Sequence, residues 1–174
     1  MFGIDLLTPL ALTATVLATV FIFAAAAFFT RATLRRAAGA LIGAAPLVLL
    51  VMGADSLAGQ AGWWHYPTVP TGQAPLAWYI ASAIGYGAAV GLLGWRVLRR
   101  CGIRSLAAFA ACVGFFGIGR DYAYSLSTGL IEFGRGPLPL AADFISYAVA
   151  SLVVQAIMWA VAGSPRSDRL ARQD

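Results

Sequence analysis

Seven side chains of this sequence are acidic, and three of them, Asp55, Asp121 and Asp143, stand within or at the edge of long apolar stretches. Asp143 is the most informative. It lies in Gly136-Pro137-Leu138-Pro139-Leu140-Ala141-Ala142-Asp143-Phe144-Ile145-Ser146-Tyr147. A proline in a first helical turn loses no hydrogen bond, so Pro139 marks a helix start and places Asp143 about one turn inside. An ionisable group at that depth in an apolar helix faces the interior and is a functional candidate. Ser146 and Tyr147 follow at i+3 and i+4, and Ser151 and Gln155 continue the face, so this polar stripe is expected to look inward. A carboxylic acid in an apolar pocket keeps its proton and can serve as a general acid. The plainer reading of Asp143 is a helix cap or an interhelical hydrogen bond. Asp55 and Asp121 end apolar runs, where water is expected to reach them, and Arg120 reads as a solvated neighbour of Asp121. All three aspartates are carried as catalytic candidates.

Ten aromatic residues gather at the same end of the apolar runs: Trp63, Trp64, Tyr66, Trp78, Tyr79, Tyr122, Tyr124, Phe133, Phe144 and Tyr147. Trp and Tyr there fit an interfacial belt. Beside the carboxylates they also offer faces that stabilise a cation. A proton donor and cation-stabilising rings are what a proton-initiated cyclisation needs, and no nucleophile is required. The substrate-binding candidates are Trp63, Trp64, His65, Tyr66, Trp78, Tyr79, Tyr122, Phe144 and Tyr147. His65 is the only histidine and has no cysteine beside it, so no metal site is expected. No phosphate-binding loop, dinucleotide fingerprint, haem motif or Ser–His arrangement is present, and no cofactor is called for.

The elements that must position these groups are membrane helices. The 174 residues are 60% hydrophobic and 11% charged, against about 25% charged in a soluble domain. Mean hydropathy is +0.80. All twelve basic residues are arginine, and ten fall in three clusters after apolar runs, a membrane signature rather than a nucleic-acid one. The runs cover residues 6–30, 37–54, 75–95, 105–119 and 139–163. They are continuously apolar rather than alternating, which favours helices over a barrel. The expectation is an all-α membrane protein of five spans, N-terminus outside and C-terminus cytoplasmic, in the plasma (inner) membrane. Gly39/Gly43 and Gly87/Gly91 are spaced for close helix approach. Cys101 and Cys112 read as reduced, structural thiols.

Gly72-Gln73-Ala74-Pro75-Leu76-Ala77 is an earlier copy of the Gly136 segment, sharing its Gly and Pro-Leu-Ala at an offset of 64 residues. Spans two and three then match spans four and five as a parallel repeat, and such repeats enclose sites at their interface. The single membrane domain divides into a first helix and basic loop (1–36), repeat one (37–103), repeat two (104–165) and a cytoplasmic tail (166–174).

Gly136 through Phe144, together with Asp55 ahead of Gly62-Trp63-Trp64-His65-Tyr66, resembles the lycopene cyclase domain family of small membrane-embedded carotenoid cyclases. The resemblance covers about residues 45 to 155. It implies an isoprenoid- or terpenoid-acting enzyme of lyase or isomerase type in carotenoid biosynthesis, with acids at the helix starts. Here Ala77 and Ala141 or Ala142 stand where the family's first acid would be, and only Asp143 of the paired acids remains. Five spans replace the family's six. The alternative reading is a non-enzymatic lipid- or carotenoid-binding scaffold, or a subunit of a larger membrane complex. Either way the expected partners are an apolar isoprenoid or lipid, the bilayer and, for a homo-oligomer, further copies of the chain; nucleic acid is not among them.

Overall fold

Helix punctuation in the sequence is sparse, and the folded chain uses nearly all of it. A computed structural model describes residues 9–67, 69 and 73–165; Asp5 and the tail at 166–174 lie outside the described residues. The elements are α1 (Pro9–Thr30), α2 (Leu34–Ala44), α3 (Leu47–Ala61), β1 (Trp64–His65), α4 (Leu76–Ser82), a π-helical turn (Ala83–Gly87), α5 (Ala88–Cys101), α6 (Ser105–Thr128), β2 (Glu132–Phe133) and α7 (Pro137–Ala162). They make five helices long and apolar enough to cross a bilayer, covering Pro9–Thr30, Leu34–Ala61, Leu76–Cys101, Ser105–Thr128 and Pro137–Ala162. The protein is an all-α, multi-pass membrane protein.

Three details differ from the sequence reading. The second span is not one helix: Pro46 lacks the N–H of a regular turn and divides α2 from α3. That span runs on to Ala61, where Gly62 caps it in the left-handed conformation (φ 68°), so Asp55 lies within the helix. The fourth span is not short either. It continues to Thr128 and ends at Gly129 (φ 63°), which places Asp121 inside it as well. Apolar content ends early in both runs, but the backbone has no reason to stop before the glycine.

The connections are short at one end of the bundle, where Arg31–Thr33 and Gly102–Arg104 link helices. Arg35 donates to Val161 O at 3.2 Å and Arg96 to Phe29 O at 2.5 Å, which ties neighbouring helix ends together there. The opposite end carries the two longer connections. These meet in an antiparallel two-stranded ladder, with Trp64 opposite Phe133 and His65 opposite Glu132. Gly134 donates to Trp63 O at 2.7 Å, and a Cβ on Gly134 would land on the Gly62 carbonyl oxygen. Backbone cannot yield as a side chain can. Gly134→Ala is therefore expected to part the ladder and speed amide exchange around residues 63–65 and 132–134, read by hydrogen–deuterium exchange.

Both small-residue pairs lie at close contacts. A Cβ on Gly43 would stand 2.9 Å from the Val154 carbonyl oxygen, on Gly91 2.7 Å from Val154 Cγ1, and on Gly87 2.7 Å from Leu47 Cδ1. Helices α2, α5 and α7 thus approach one another through glycine, with buried Ala40, Ala44, Leu92 and Met158 between them. In a bilayer, where lipid is as apolar as leucine, this close packing is a main source of helix association. The stripe expected to look inward does so: Ser151 and Gln155 are buried, and Gln155 Nε2 donates to Gly91 O at 2.8 Å.

Candidate functional site

The three aspartates sit at nearly one depth. Asp55 is six residues before the end of α3, Asp121 seven before the end of α6, and Asp143 six after the start of α7. At 1.5 Å per residue each is about 9–11 Å inside its helix. Asp55 is 6% exposed, Asp121 7% and Asp143 4%. The expectation that water reaches Asp55 and Asp121 is thus corrected. Both helices extend past them, and the ladder end folds over them.

Asp55 is held from three directions. Trp64 donates its indole N–H to Oδ1 at 2.9 Å, Tyr66 its hydroxyl to Oδ2 at 2.9 Å, and Tyr79 its hydroxyl to Oδ2 at 2.6 Å. Tyr79 is itself fixed, accepting the Ala74 N–H at 3.2 Å. Tyr66 lies in the connection after β1. Burial, with Asp55 beside it, pushes its phenol well above the ordinary value, so it stays a neutral donor. Hydrogen bonds to an ionised group contribute about 1.5–3 kcal/mol each. Asp55→Ala leaves all three donors unpaired and is expected to cost about 3–5 kcal/mol. Asp55→Asn, which keeps an acceptor oxygen, should cost less, as thermal unfolding in detergent would read.

Asp121 has a different partner set. Arg120 Nε donates to its Oδ1 at 2.7 Å, and Nη2 stands 2.6 Å from the same oxygen. Tyr147 donates to Oδ2 at 2.7 Å and accepts from Arg120 Nη2. The guanidinium lies over the rings of Tyr86 and Tyr147, 5.1 Å from each centroid. Arg120 is therefore no solvated neighbour. Its side chain is about three-quarters buried. A planar, delocalised cation fits this slot between two rings and a carboxylate.

Asp143 has no such support. It lies within electrostatic range of Asp121, Arg120 and Asp55, yet no hydrogen bond to it is found among the described residues, and its Oδ2 is buried without a partner. The described carboxylates do not converge into a group of three or more able to hold a metal ion. Three acids facing one guanidinium would leave the cluster two charges negative if all were ionised, and such a charge is costly at membrane depth.

Aromatic rings roof the cluster. Trp64 packs on Phe133 (6.0 Å between centroids) and on Trp63 (6.5 Å), while Phe133 stacks on Tyr122 at 4.2 Å. Trp78 and Ala142 pack beneath, against buried Ala58, Trp64, Leu130 and Ile131. Of the substrate-binding candidates, Trp64, Tyr66, Tyr79 and Tyr147 thus touch the acids, and Trp63, Trp78 and Tyr122 belong to the roof. His65 is exposed and faces Glu132 at 3.5 Å on the outer side of the ladder. Phe144 packs edge-on against Phe115 at 5.0 Å and against Gly114, on the α6–α7 contact. Tyr86, under the Arg120 guanidinium, and Phe133, stacked on Tyr122, join the site without being among the substrate-binding candidates. An arginine at the otherwise arginine-poor end was the available signal for a buried pair. Comparison with family models, curated proteins and solved structures finds no match in any of the three.

Proposed function

We propose that this chain is a membrane-embedded enzyme acting on an isoprenoid, a proton-initiated cyclase of lyase or isomerase type, with Asp143 as the proton donor. One observation carries the reading: of three buried carboxylates, two are held by donors and the third has none among the described residues. Three donors stabilise the anion of Asp55, and Arg120 with Tyr147 stabilises that of Asp121. A proton on the cluster therefore resides on Asp143, whose buried Oδ2 has no donor favouring the anion among the described residues. In the reaction the Asp143 O–H bond breaks and a C–H bond forms at one carbon of a substrate double bond. A second double bond attacks the carbocation, closing the ring. Loss of a proton from a neighbouring carbon to the Asp143 carboxylate restores both the alkene and the acid. No oxidant or reductant enters. The rings of the roof supply π faces for the intermediate cation, and the resemblance of the Gly136–Phe144 segment to lycopene cyclases agrees with this chemistry. The test is conversion of a linear polyprenoid by the purified protein in liposomes, with product analysis. Absence of a cyclic product from the wild-type protein counts against it.

The orientation that accompanies this reading places the ladder end outside and the C-terminus in the cytoplasm, at the plasma membrane. Ten arginines then face the cytoplasm and two, Arg120 and Arg135, lie toward the other side. Native Cys101 is exposed at the end bearing the arginine clusters. A membrane-impermeant maleimide is expected to label a cysteine placed at exposed Ser127 in intact cells, and Cys101 only after permeabilisation; labelling of both in intact cells would reject the layout.

The parallel repeat has support as well. Asp55 accepts from Tyr79 and Asp121 from Tyr147, the tyrosine in each case lying on the next span. A twofold axis between equivalent strands makes them antiparallel, as β1 and β2 are. At an offset of 68 residues Trp64 and His65 fall on Glu132 and Phe133, and Tyr79 on Tyr147.

A non-enzymatic lipid- or carotenoid-binding role has its own observation. An open apolar groove of about 350 Å³ lies between α1 and α4, lined among others by Leu12, Val16, Phe23, Ala77 and Ile80. Identification of any lipid or pigment that co-purifies, unconverted, would favour that role.

A further inference from the structure

Charge divides the two ends of the bundle. Every described carboxylate (Asp55, Asp121, Glu132 and Asp143) lies toward the ladder end, and every described arginine except Arg120 and Arg135 lies at the other. At that arginine end a cavity of about 160 Å³ opens where the spans emerge. It is lined by Leu98 near the end of α5, Ile103 in the connection to α6, Trp159 near the end of α7, and Ser164 and Pro165 just beyond α7. Leu98 and Pro165 are buried, Trp159 is half-buried, and Ile103 and Ser164 are exposed, so the cavity has a closed apolar floor and an open mouth.

Between Leu98 and Ile103 the chain reads Arg99-Arg100-Cys101-Gly102, and Arg104 follows Ile103. A tight turn holds this segment at the mouth. Gly102, at φ 77°, donates its N–H to Leu98 O at 2.9 Å, and the Ser105 N–H reaches Gly102 O at 3.1 Å. Arg99 and Arg104 are each one residue, about 3.8 Å between Cα atoms, from a residue that lines the cavity, and an arginine side chain spans more than that step. Arg100 and Arg104 are exposed, and no described acid stands at this end to offset them. A soluble anion would meet the arginines but leave the apolar floor unfilled. A neutral lipid would fill the floor but leave the charge unmatched. An anionic phospholipid does both, with its phosphate level with the arginines and its glycerol and first acyl carbons against Trp159 and Leu98. Basic pockets between spans hold such headgroups, and tryptophan favours this depth.

We infer that the cavity between the ends of α5 and α7 is the seat of one anionic phospholipid, held by Arg104 and its neighbours above an apolar floor. The inference needs neither the proposed reaction nor its substrate.

The test is native mass spectrometry of the full chain in detergent, titrated with phosphatidylglycerol and phosphatidylcholine in equal parts. One phosphatidylglycerol per chain is expected to be retained in preference to phosphatidylcholine by at least about fivefold, the scale of one arginine acting on an anionic headgroup. Arg104→Gln should remove most of that preference. Arg31→Gln takes the same charge from the same end but from a connection that does not line the cavity, and should change it less than about twofold. Ser164→Trp fills the cavity and leaves every arginine in place, and it should lower retention as well. Equal retention of the two lipids, equal effects of Arg104→Gln and Arg31→Gln, or undiminished retention in Ser164→Trp overturns the inference. Full displacement of the lipid by an equal concentration of inorganic phosphate also overturns it, since the cavity would then hold an anion and not a lipid. If Ser164→Trp does not fold, the two arginine variants decide.

Discussion

Asp143→Asn is expected to lower turnover at least about a hundredfold, the scale of losing a positioned general acid. Asparagine preserves the shape of the side chain and its packing on α7 but holds no transferable carboxyl proton. Because no hydrogen bond to the Asp143 carboxyl is found among the described residues, the exchange breaks none of theirs. Stability should therefore change by less than about 1 kcal/mol. The comparison is polyprenoid conversion against thermal unfolding for the wild-type, Asn and Glu forms. Glutamate, which restores a titrating carboxyl about one bond farther out, should recover part of the activity. Full activity in the Asn variant would remove Asp143 from the chemistry, and with it the main support for an enzyme.

An effect on stability as large as that of Asp55→Ala is expected at Arg120. Arg120→Leu leaves the Asp121 carboxylate without its cation at membrane depth and strips Tyr86 and Tyr147 of the charge between them. Removing one partner of a buried ion pair costs about 3–5 kcal/mol, mostly the penalty of the charge left behind. Arg120→Lys should recover only part of this, since an ammonium cannot lie flat between two rings while donating twice to one carboxylate. The double variant Arg120→Leu/Asp121→Leu should be more stable than the sum of the single losses implies, because no orphan charge remains. Denaturant unfolding in detergent gives the four stabilities of the cycle. Strictly additive losses would mean that the pair is not coupled and that Arg120 is held by its neighbours' packing alone.

The membrane character, the helical class and the five spans were legible in the residues because each rests on a local quantity. A run of about twenty apolar residues must bond its backbone internally in hydrocarbon, whatever surrounds it. Gly39/Gly43 and Gly87/Gly91 were legible for a related reason: a small residue spaced at four along a helix can only matter at a close approach. The inward face of α7 followed from the helical period, since Asp143, Tyr147, Ser151 and Gln155 recur every fourth residue.

What tertiary structure alone decided is who meets whom. Hydropathy fell off before Asp55 and Asp121, so both looked like wet helix ends. Yet a helix stops at its capping glycine, not where its apolar content thins, and Gly62 and Gly129 come seven and eight residues after the two aspartates. Pairing Tyr79 with Asp55 and Tyr147 with Asp121 needed two spans set side by side in a particular register, which no local period encodes. The ladder that brings Trp64 against Phe133 joins residues 69 positions apart. Arg120 looked solvated because arginine usually is. Only the slot between Tyr86 and Tyr147, assembled from three different spans, offers the partners that make its burial tolerable. Residue types and the depth of Asp143 in its helix were thus set by sequence, and the division of the three acids into two held by donors and one with an unpartnered oxygen by the packing of helices that are distant in the chain.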